Sequence, residues 1–131
     1  MASKAAVWTG RVISAAPVLL LVMSATMKLM KSPDVVKGFG EMGYPESLML
    51  PLGIVELACA LLYVIPRTSV VGAILVTGYL GGATATHARL NDPHFALPVV
   101  LGVLAWLGLL LRDERLRPLL PLTAPRQNPG N

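Results

Sequence analysis

Two ionisable side chains lie inside or at the end of long apolar runs, where a charged group is unusual. Glu56 is the only charged residue in the run 47–65, and His87 directly follows the uncharged run 68–86. A carboxyl and an imidazole are groups that donate and accept protons in catalysis and that also anchor polar ligands. An ionised carboxylate at a bilayer centre is disfavoured by roughly 2.5 to 3.5 kcal/mol. Glu56 is therefore predicted to be protonated or to turn inward to a partner.

Helical spacing places other polar or small side chains on the same faces as these two. Residues three or four apart share a helix face, and this spacing joins Glu56 to Gly53, Ala60 and Tyr63. Two further stripes follow the same rule: Ser24, Lys28 and Lys31 in the first run, and Thr77, Thr84 and His87 in the third. The side chains expected to contact a ligand are Lys28, Glu56, Tyr63, Thr77, Tyr79, Thr84, His87 and Arg89. Glu56 and His87 are the candidate catalytic pair.

The composition indicates the environment that these residues occupy. The chain of 131 residues is 54% hydrophobic and 14% charged, whereas an ordinary soluble domain is roughly 25% charged. Four apolar runs approach the ~20 residues that cross a bilayer as a helix. None alternates polar and apolar residues as a half-buried strand would, and backbone groups in hydrocarbon must pair within the span. The prediction is an all-α bundle of four transmembrane helices in contact with lipid.

The runs form one membrane domain, residues 1–121, followed by a Pro-rich tail, 122–131, that is expected to be disordered. The helices are expected at about 10–31, 47–65, 68–88 and 95–111. The first reaches full length if Lys28 extends to the lipid headgroups.

Orientation is predicted from Lys and Arg in the short loops. One side carries seven, namely Lys4, Arg11, Arg67, Arg112, Arg115, Arg117 and Arg126, and the other carries four, namely Lys28, Lys31, Lys37 and Arg89. The positive-inside tendency then places both termini in the cytoplasm. With these termini, Glu56 lies near the floor of a pocket that opens to the outer face. Tyr79 and Thr77 lie at comparable depth, and Thr84 and His87 line the mouth.

Several function classes are disfavoured by what the sequence contains. The net charge of +4 comes from residues beside the span ends, not from a basic patch interleaved with aromatics, so nucleic acid is not an expected partner. Cys59 is the only cysteine, and no Cys/His spacing typical of zinc is present. No metal is expected, and Cys59 is interpreted as a small core residue. The GxxxG pair Gly78 and Gly82 predicts close helix approach.

Three segments and one connection resemble the DoxX-like family of small bacterial four-helix membrane proteins. The segments are GIVELACALLYVIPRT (53–68), GAILVTGYLGGATATHAR (72–89) and WLGLLLRDERLRPLLP (106–121), and the connection is GFGEMGYP (38–45). The resemblance extends from about Lys28 to Pro121. Its most specific features are the mid-helix glutamate of the second span and the GYLGGATATH run of the third.

This resemblance implies a multi-pass protein of the bacterial inner membrane. The family takes its name from a membrane subunit linked to thiosulfate oxidation with quinone as acceptor, and other relatives occur in oxidative or thiol-stress systems. The expected function is a binding or accessory subunit that holds a quinone-like or other amphipathic molecule, or that supports a membrane redox partner. The alternative is an enzyme that acts on a lipid-soluble substrate through acid–base chemistry at Glu56 and His87. The number of copies in the assembly, a homo-oligomer included, is left open.

Overall fold

The computed structural model describes residues 3–119, except for the side chain of Arg117. Five helices account for most of this range: α1 (Lys4–Leu29), α2 (Pro33–Met42), α3 (Met49–Val64), α4 (Ser69–Arg89) and α5 (Ala96–Arg112). Short 3-10 turns at Glu46–Leu48 and Pro93–Phe95 lead into α3 and α5, and a third follows α5 at Glu114–Leu119. The described residues contain no strand. The expected tail, 122–131, lies outside them.

Four of these helices are long and apolar enough to cross a membrane. With their leading turns, the candidate spans are Lys4–Leu29, Glu46–Val64, Ser69–Arg89 and Pro93–Arg112. The predicted all-α fold with four spanning helices is confirmed, whereas the cytoplasmic placement of the termini stays a prediction. Large apolar side chains cover the outside of the bundle, among them Val12, Leu19, Ile74 and Val103. A surface of this kind fits acyl chains and not water.

The four spans form a ring in which α1 packs against α3 and α5, and α4 packs against the same two helices. α1 and α4 therefore lie on opposite sides of the bundle. The core between them contains Leu21, Tyr63, Val76, Leu101 and Leu109.

The close helix approaches occur at glycines other than the GxxxG pair. A Cβ on Gly72 would collide with the backbone of Tyr63, and one on Gly10 would lie 2.6 Å from the carbonyl oxygen of Gly108. A Cβ on Gly78 or Gly82 would meet no atom within 4 Å. The prediction that these two glycines bring helices together was wrong for the described residues, because both glycines are exposed and no other helix packs against them.

The helix α2 was not predicted, because this region of the sequence was interpreted as a connection between spans. Pro33 occupies the first turn, where its missing N–H costs nothing, and Gly43 ends the helix with φ of 78°. This left-handed conformation suits glycine, and the backbone N–H groups of Gly43 and Tyr44 then satisfy the carbonyls of Gly40 and Phe39. Phe39 is buried, so α2 packs one side onto the end of the bundle, here called the α2 end.

α1 also begins earlier than expected. Ser3 accepts a hydrogen bond from the backbone N–H of Ala6 at 3.0 Å, which caps the helix six residues before the expected start near residue 10. At the other end, the helix stops at Leu29, and Lys31 adopts a positive φ of 52°.

Candidate functional site

Glu56 faces the interior of the bundle and not the lipid. Gly53, Glu56, Ala60 and Tyr63 are all buried, so the predicted stripe is the inward face of α3. The Glu56 side chain is 2% exposed. A group this enclosed must have partners, because burying a charge without them costs more than the fold's net stability permits.

Three side chains from two other helices bind the same oxygen of this carboxylate. Lys28 Nζ donates to Glu56 Oε2 at 2.8 Å, the Tyr79 hydroxyl donates at 3.0 Å, and Ser24 Oγ donates at 3.3 Å. Lys28 Nζ also donates to Ser24 Oγ at 2.6 Å. Ser24 and Lys28 are one turn apart on α1, and Tyr79 lies on α4. The cluster therefore links three helices through one carboxylate.

Lys28 is part of this cluster and does not extend to the headgroups. Its side chain is 11% exposed, and its ammonium lies 6.0 Å from the centre of the Tyr79 ring. The prediction that Lys28 snorkels out of the span was wrong, because the Glu56 carboxylate supplies a counter-charge inside it. An oppositely charged pair with further hydrogen bonds is the arrangement that lets ions remain within a membrane domain.

The cluster borders a cavity of about 700 Å³ at the α2 end of the bundle. A cavity of this size falls within the range of small-molecule sites, which is roughly 300 to 1,000 Å³. Its walls are mostly apolar, with Leu21, Leu52, Leu80 and Leu101 among them, and its polar lining includes Ser24, Lys28, Asp34, Tyr44, Glu56, Tyr79, Thr86 and His87. Gly78 and Gly82 also line it. Their missing side chains leave this space open.

α2 covers one side of the cavity and is fastened to α4 by two contacts. Tyr44, just after α2, forms a hydrogen bond of 2.7 Å with the Thr86 hydroxyl, and Arg89 Nη2 donates to the Met42 carbonyl at 2.9 Å. Phe39 from α2 reaches the lining, and its ring lies 5.9 Å from that of Tyr44. The wall of the cavity on this side is therefore α2, held against α4 by these two hydrogen bonds.

His87 lies on the cavity wall and is held by a carboxylate outside the span. Asp92 Oδ2 lies 3.0 Å from His87 Nδ1, while Asp92 Oδ1 lies 2.7 Å from His94 Nδ1 and accepts the His94 backbone N–H at 2.9 Å. The bond to Asp92 orients the His87 ring through Nδ1. The other ring nitrogen, Nε2, does not contact Asp92. The His94 backbone N–H, followed by the two imidazoles, lowers the pKa of Asp92 to about 2.

The lowered pKa of Asp92 predicts a pH-dependent stability. Since the folded state favours the ionised carboxylate, Asp92 stabilises the fold fully above its ordinary pKa of 3.8 and loses that contribution as the pH falls toward about 2. Asp92→Asn should lower the thermal unfolding temperature in detergent at neutral pH, and the difference from wild type should shrink between about pH 4 and pH 2. A difference that stays constant across this range would argue against the assignment.

Four of the eight predicted ligand contacts come together around the cavity: Lys28, Glu56, Tyr79 and His87. The other four lie elsewhere. Thr77 and Thr84 face a groove of about 730 Å³ between α4 and α5, which has no ionisable side chain in its lining, and Thr77 accepts a hydrogen bond from Trp106 Nε1 at 2.6 Å. Arg89 is exposed and bonded to α2. Tyr63 belongs to a separate cluster at the opposite end of the bundle.

This second cluster joins α1, α3 and α5. The Tyr63 hydroxyl donates to the Ala105 carbonyl oxygen at 2.6 Å and lies 2.9 Å from Ser14 Oγ. Arg112 donates to the Tyr63 carbonyl at 3.0 Å, and its guanidinium lies 4.7 Å from the centre of the Tyr63 ring. The cluster fills the space between these helices, so Tyr63 stabilises their packing and does not line the cavity.

Tyr63→Phe should lower the free energy of unfolding by about 1 to 3 kcal/mol, because the buried Ser14 hydroxyl and Ala105 carbonyl lose a partner. The amount of any molecule that co-purifies with the folded protein should not change. Tyr79→Phe is the matched variant, since it removes the same atom from the cavity cluster. A Tyr63→Phe protein that folds normally but loses a bound molecule would contradict this placement.

Sequence reasoning did not select Ser24, Tyr44, Thr86 and Asp92, which the structure places in or beside the site. Ser24 was on the predicted stripe of α1, one turn before Lys28, and this spacing was the available signal. Thr86 lies seven residues after Tyr79 and therefore on nearly the same face. Tyr44 and Asp92 lie in connections, where spacing carries no information on side-chain direction. The described residues hold no group of three or more His, Cys, Asp or Glu side chains placed for a metal.

Comparison with known protein families gives a match. A sequence model described as the DoxX-like family matches residues 12–108. The matched range contains Lys28, Glu56, Tyr79 and His87, together with most of the four spans. No curated protein and no solved structure matches the chain.

Proposed function

This chain belongs to the DoxX-like family, and on that premise we propose that it is a membrane protein that binds an amphipathic small molecule in the cavity above Glu56. The observation that carries the proposal is the buried Lys28–Glu56 ion pair, which lies beside an open space of about 700 Å³ and not in a packed core. An apolar cavity with a few convergent polar groups is the usual form of a small-molecule site. A quinone-like compound is one ligand of this kind.

The distribution of polarity in the site supports a ligand with a polar head and an apolar body. Ser24, Lys28, Glu56 and Tyr79 converge within hydrogen-bonding distance of one another, whereas leucines form much of the remaining wall. Burial of apolar surface supplies most of the free energy of such binding, and the polar groups fix the orientation. The protein would serve as a binding or accessory subunit, and any electron transfer would pass to a redox partner in the bacterial inner membrane.

The experiment that tests this function is mass spectrometry of the molecules that co-purify with the full-length protein in native lipid. Glu56→Gln should reduce a specific molecule relative to wild type, because the amide replaces the charged acceptor at the cavity floor. Glu41→Gln is the matched control, since Glu41 is an exposed residue of α2 and its replacement should leave the profile unchanged. Identical profiles for folded wild type and Glu56→Gln would refute the proposal.

Acid–base catalysis on a lipid-soluble substrate is a second candidate, favoured by the fact that Glu56 and His87 line the same cavity. In this reaction class, His87 Nε2 would exchange a proton with the bound substrate while Asp92 holds Nδ1, and the Glu56 carboxylate would orient the substrate. Conversion of membrane lipid extracts by the wild-type protein, lost in both His87→Gln and Glu56→Gln, is the result expected of an enzyme. Absence of turnover by the folded wild type would leave binding as the function.

A further inference from the structure

One oxygen of the Glu56 carboxylate is available to the cavity. All three hydrogen bonds go to Oε2, and Oε1 accepts none from the described residues. Among these residues, the single fully enclosed side-chain atom without a partner is Arg112 Nε. Glu56 Oε1 therefore keeps a small accessible surface, and Glu56 is one of the residues that line the cavity.

A carboxylate oxygen can only accept hydrogen bonds when it is ionised, so the group that faces Oε1 must be a donor. Lys28 Nζ donates to Oε2 at 2.8 Å, so Glu56 acts as an acceptor in this cluster. A ligand head with a hydroxyl would meet this requirement, whereas an ether, an ester or a carbonyl in the same place would put two acceptors against each other. Glu56 Oε1 therefore favours a ligand whose head group donates a hydrogen bond.

The charges of the lining disfavour an anionic head. The ionisable groups that line the cavity are Lys28 from α1, Asp34 from α2, Tyr44 from the connection after α2, Glu56 from α3, and Tyr79 and His87 from α4. Lys28 already pairs with Glu56 at 2.8 Å, and His87 is held by Asp92. No cation in this lining remains without a carboxylate partner. A carboxylate or phosphate head would therefore lose its hydration without gaining a counter-charge.

Part of the cavity wall is formed by apolar side chains that also reach the outer surface of the bundle. Three residues that line the cavity are also open to the outer surface of the bundle: Leu20 is 37% exposed, Met23 55% and Leu97 52%. These side chains belong to the candidate spans, so this part of the cavity wall reaches the apolar surface that is expected to contact lipid. An amphiphile dissolved in the membrane can reach the site without passing through water.

We propose that the head of the ligand is neutral and carries a hydroxyl that donates to Glu56 Oε1, as in a phenol, a quinol or a long-chain alcohol, in preference to its methylated, oxidised or anionic counterparts. This inference rests on the proposed binding function and narrows the class of ligand: among quinone-like compounds, it favours the reduced quinol over the quinone. It adds a selectivity that the cavity's size and apolar walls do not supply. Glu56 Oε1 accepts the hydrogen bond from the ligand hydroxyl. The leucines of the cavity wall contact the apolar part of the ligand.

A set of three matched probes tests this selectivity on the wild-type, full-length protein in phosphatidylcholine nanodiscs. The probes are para-heptylphenol, para-heptylanisole and para-heptylbenzoate, which share one apolar chain and differ in the head. Binding is measured by titration calorimetry, with empty nanodiscs subtracted to remove partition into lipid. The phenol should bind at least about tenfold tighter than the anisole, because the anisole leaves a charged acceptor without a donor. The benzoate should bind more weakly than the phenol.

Two outcomes overturn the inference separately from the proposed function. Equal affinities for phenol and anisole, or a tighter benzoate, would mean that a ligand binds but that Oε1 does not select its head. No binding above empty nanodiscs for any probe would refute the binding function, and the inference with it. Gly81→Leu serves as the control variant, since Gly81 lines the groove between α4 and α5 and not the cavity. It should keep the preference for the phenol.

Discussion

Lys28→Met is expected to lower the free energy of unfolding by about 3 to 5 kcal/mol, because it leaves the Glu56 carboxylate buried without its counter-charge. Ser24 and Tyr79 would still donate to Oε2, but neither hydroxyl carries a charge. Methionine keeps most of the volume of the lysine stem, so loss of packing contributes little. Reversible unfolding in mixed detergent micelles, followed by circular dichroism, measures the difference.

Two further variants separate the ion pair from a general effect of removing a lysine. Lys37→Met removes an exposed lysine from α2 and should change the stability by less than about 0.5 kcal/mol. The double variant Lys28→Met with Glu56→Leu should recover most of the loss, since an apolar pair in place of a buried ion pair is often neutral. A Lys28→Met protein as stable as Lys37→Met would contradict the buried ion pair.

Gly72→Ala is expected to cost about 1 to 3 kcal/mol, or more if the helices cannot separate, because its Cβ would collide with the backbone of Tyr63. Backbone atoms cannot move aside as the end of a flexible side chain can. The collision would push α3 away from α4 seven residues before Tyr79, so the bond between Tyr79 and Glu56 should weaken as well. The same detergent titration gives the free energy.

Gly81→Ala is the matched control for this variant. Both glycines lie in α4, but a Cβ on Gly81 would meet no atom within 4 Å. Alanine in place of a helical glycine is worth roughly 0.5 to 1 kcal/mol by helix propensity, and both variants receive that gain. The difference between them therefore reports the close approach alone. Equal stabilities for the two variants would show that α3 and α4 do not touch at Gly72.

The four spans could be predicted because their signal lies in composition and length, which do not depend on how the helices pack. Glu56 was also identifiable, since one carboxylate in an apolar run must find a partner whatever the tertiary structure. Its cation was not. A lysine near the end of a span fits both a headgroup contact and an internal ion pair, and only the position of α3 beside α1 decides between them.

Helical geometry explains why some predicted contacts on α4 lie outside the site. Thr84 is five residues after Tyr79, which places it about 140° around the helix, toward α5. Thr86 is seven residues after Tyr79 and is within about 20° of it. The sequence contained both spacings, but the face of α4 that borders the cavity is fixed by its packing against α3 and α5. Pro33 and Gly43 are local signals for the start and end of α2. They were not used, because the short polar stretch between the spans was interpreted as a connection.

Binding of a small molecule in the cavity beside Glu56 is tested most directly by filling that cavity with a side chain. Gly82→Leu places a side chain at the cavity wall, whereas Gly81→Leu places the same side chain in the groove between α4 and α5. Neither position has an atom within 4 Å of a new Cβ, so both proteins should fold. Native mass spectrometry from nanodiscs should find the bound molecule on wild type and Gly81→Leu but reduced at least about tenfold on Gly82→Leu. Equal occupancy of the two leucine variants would contradict the cavity as the site.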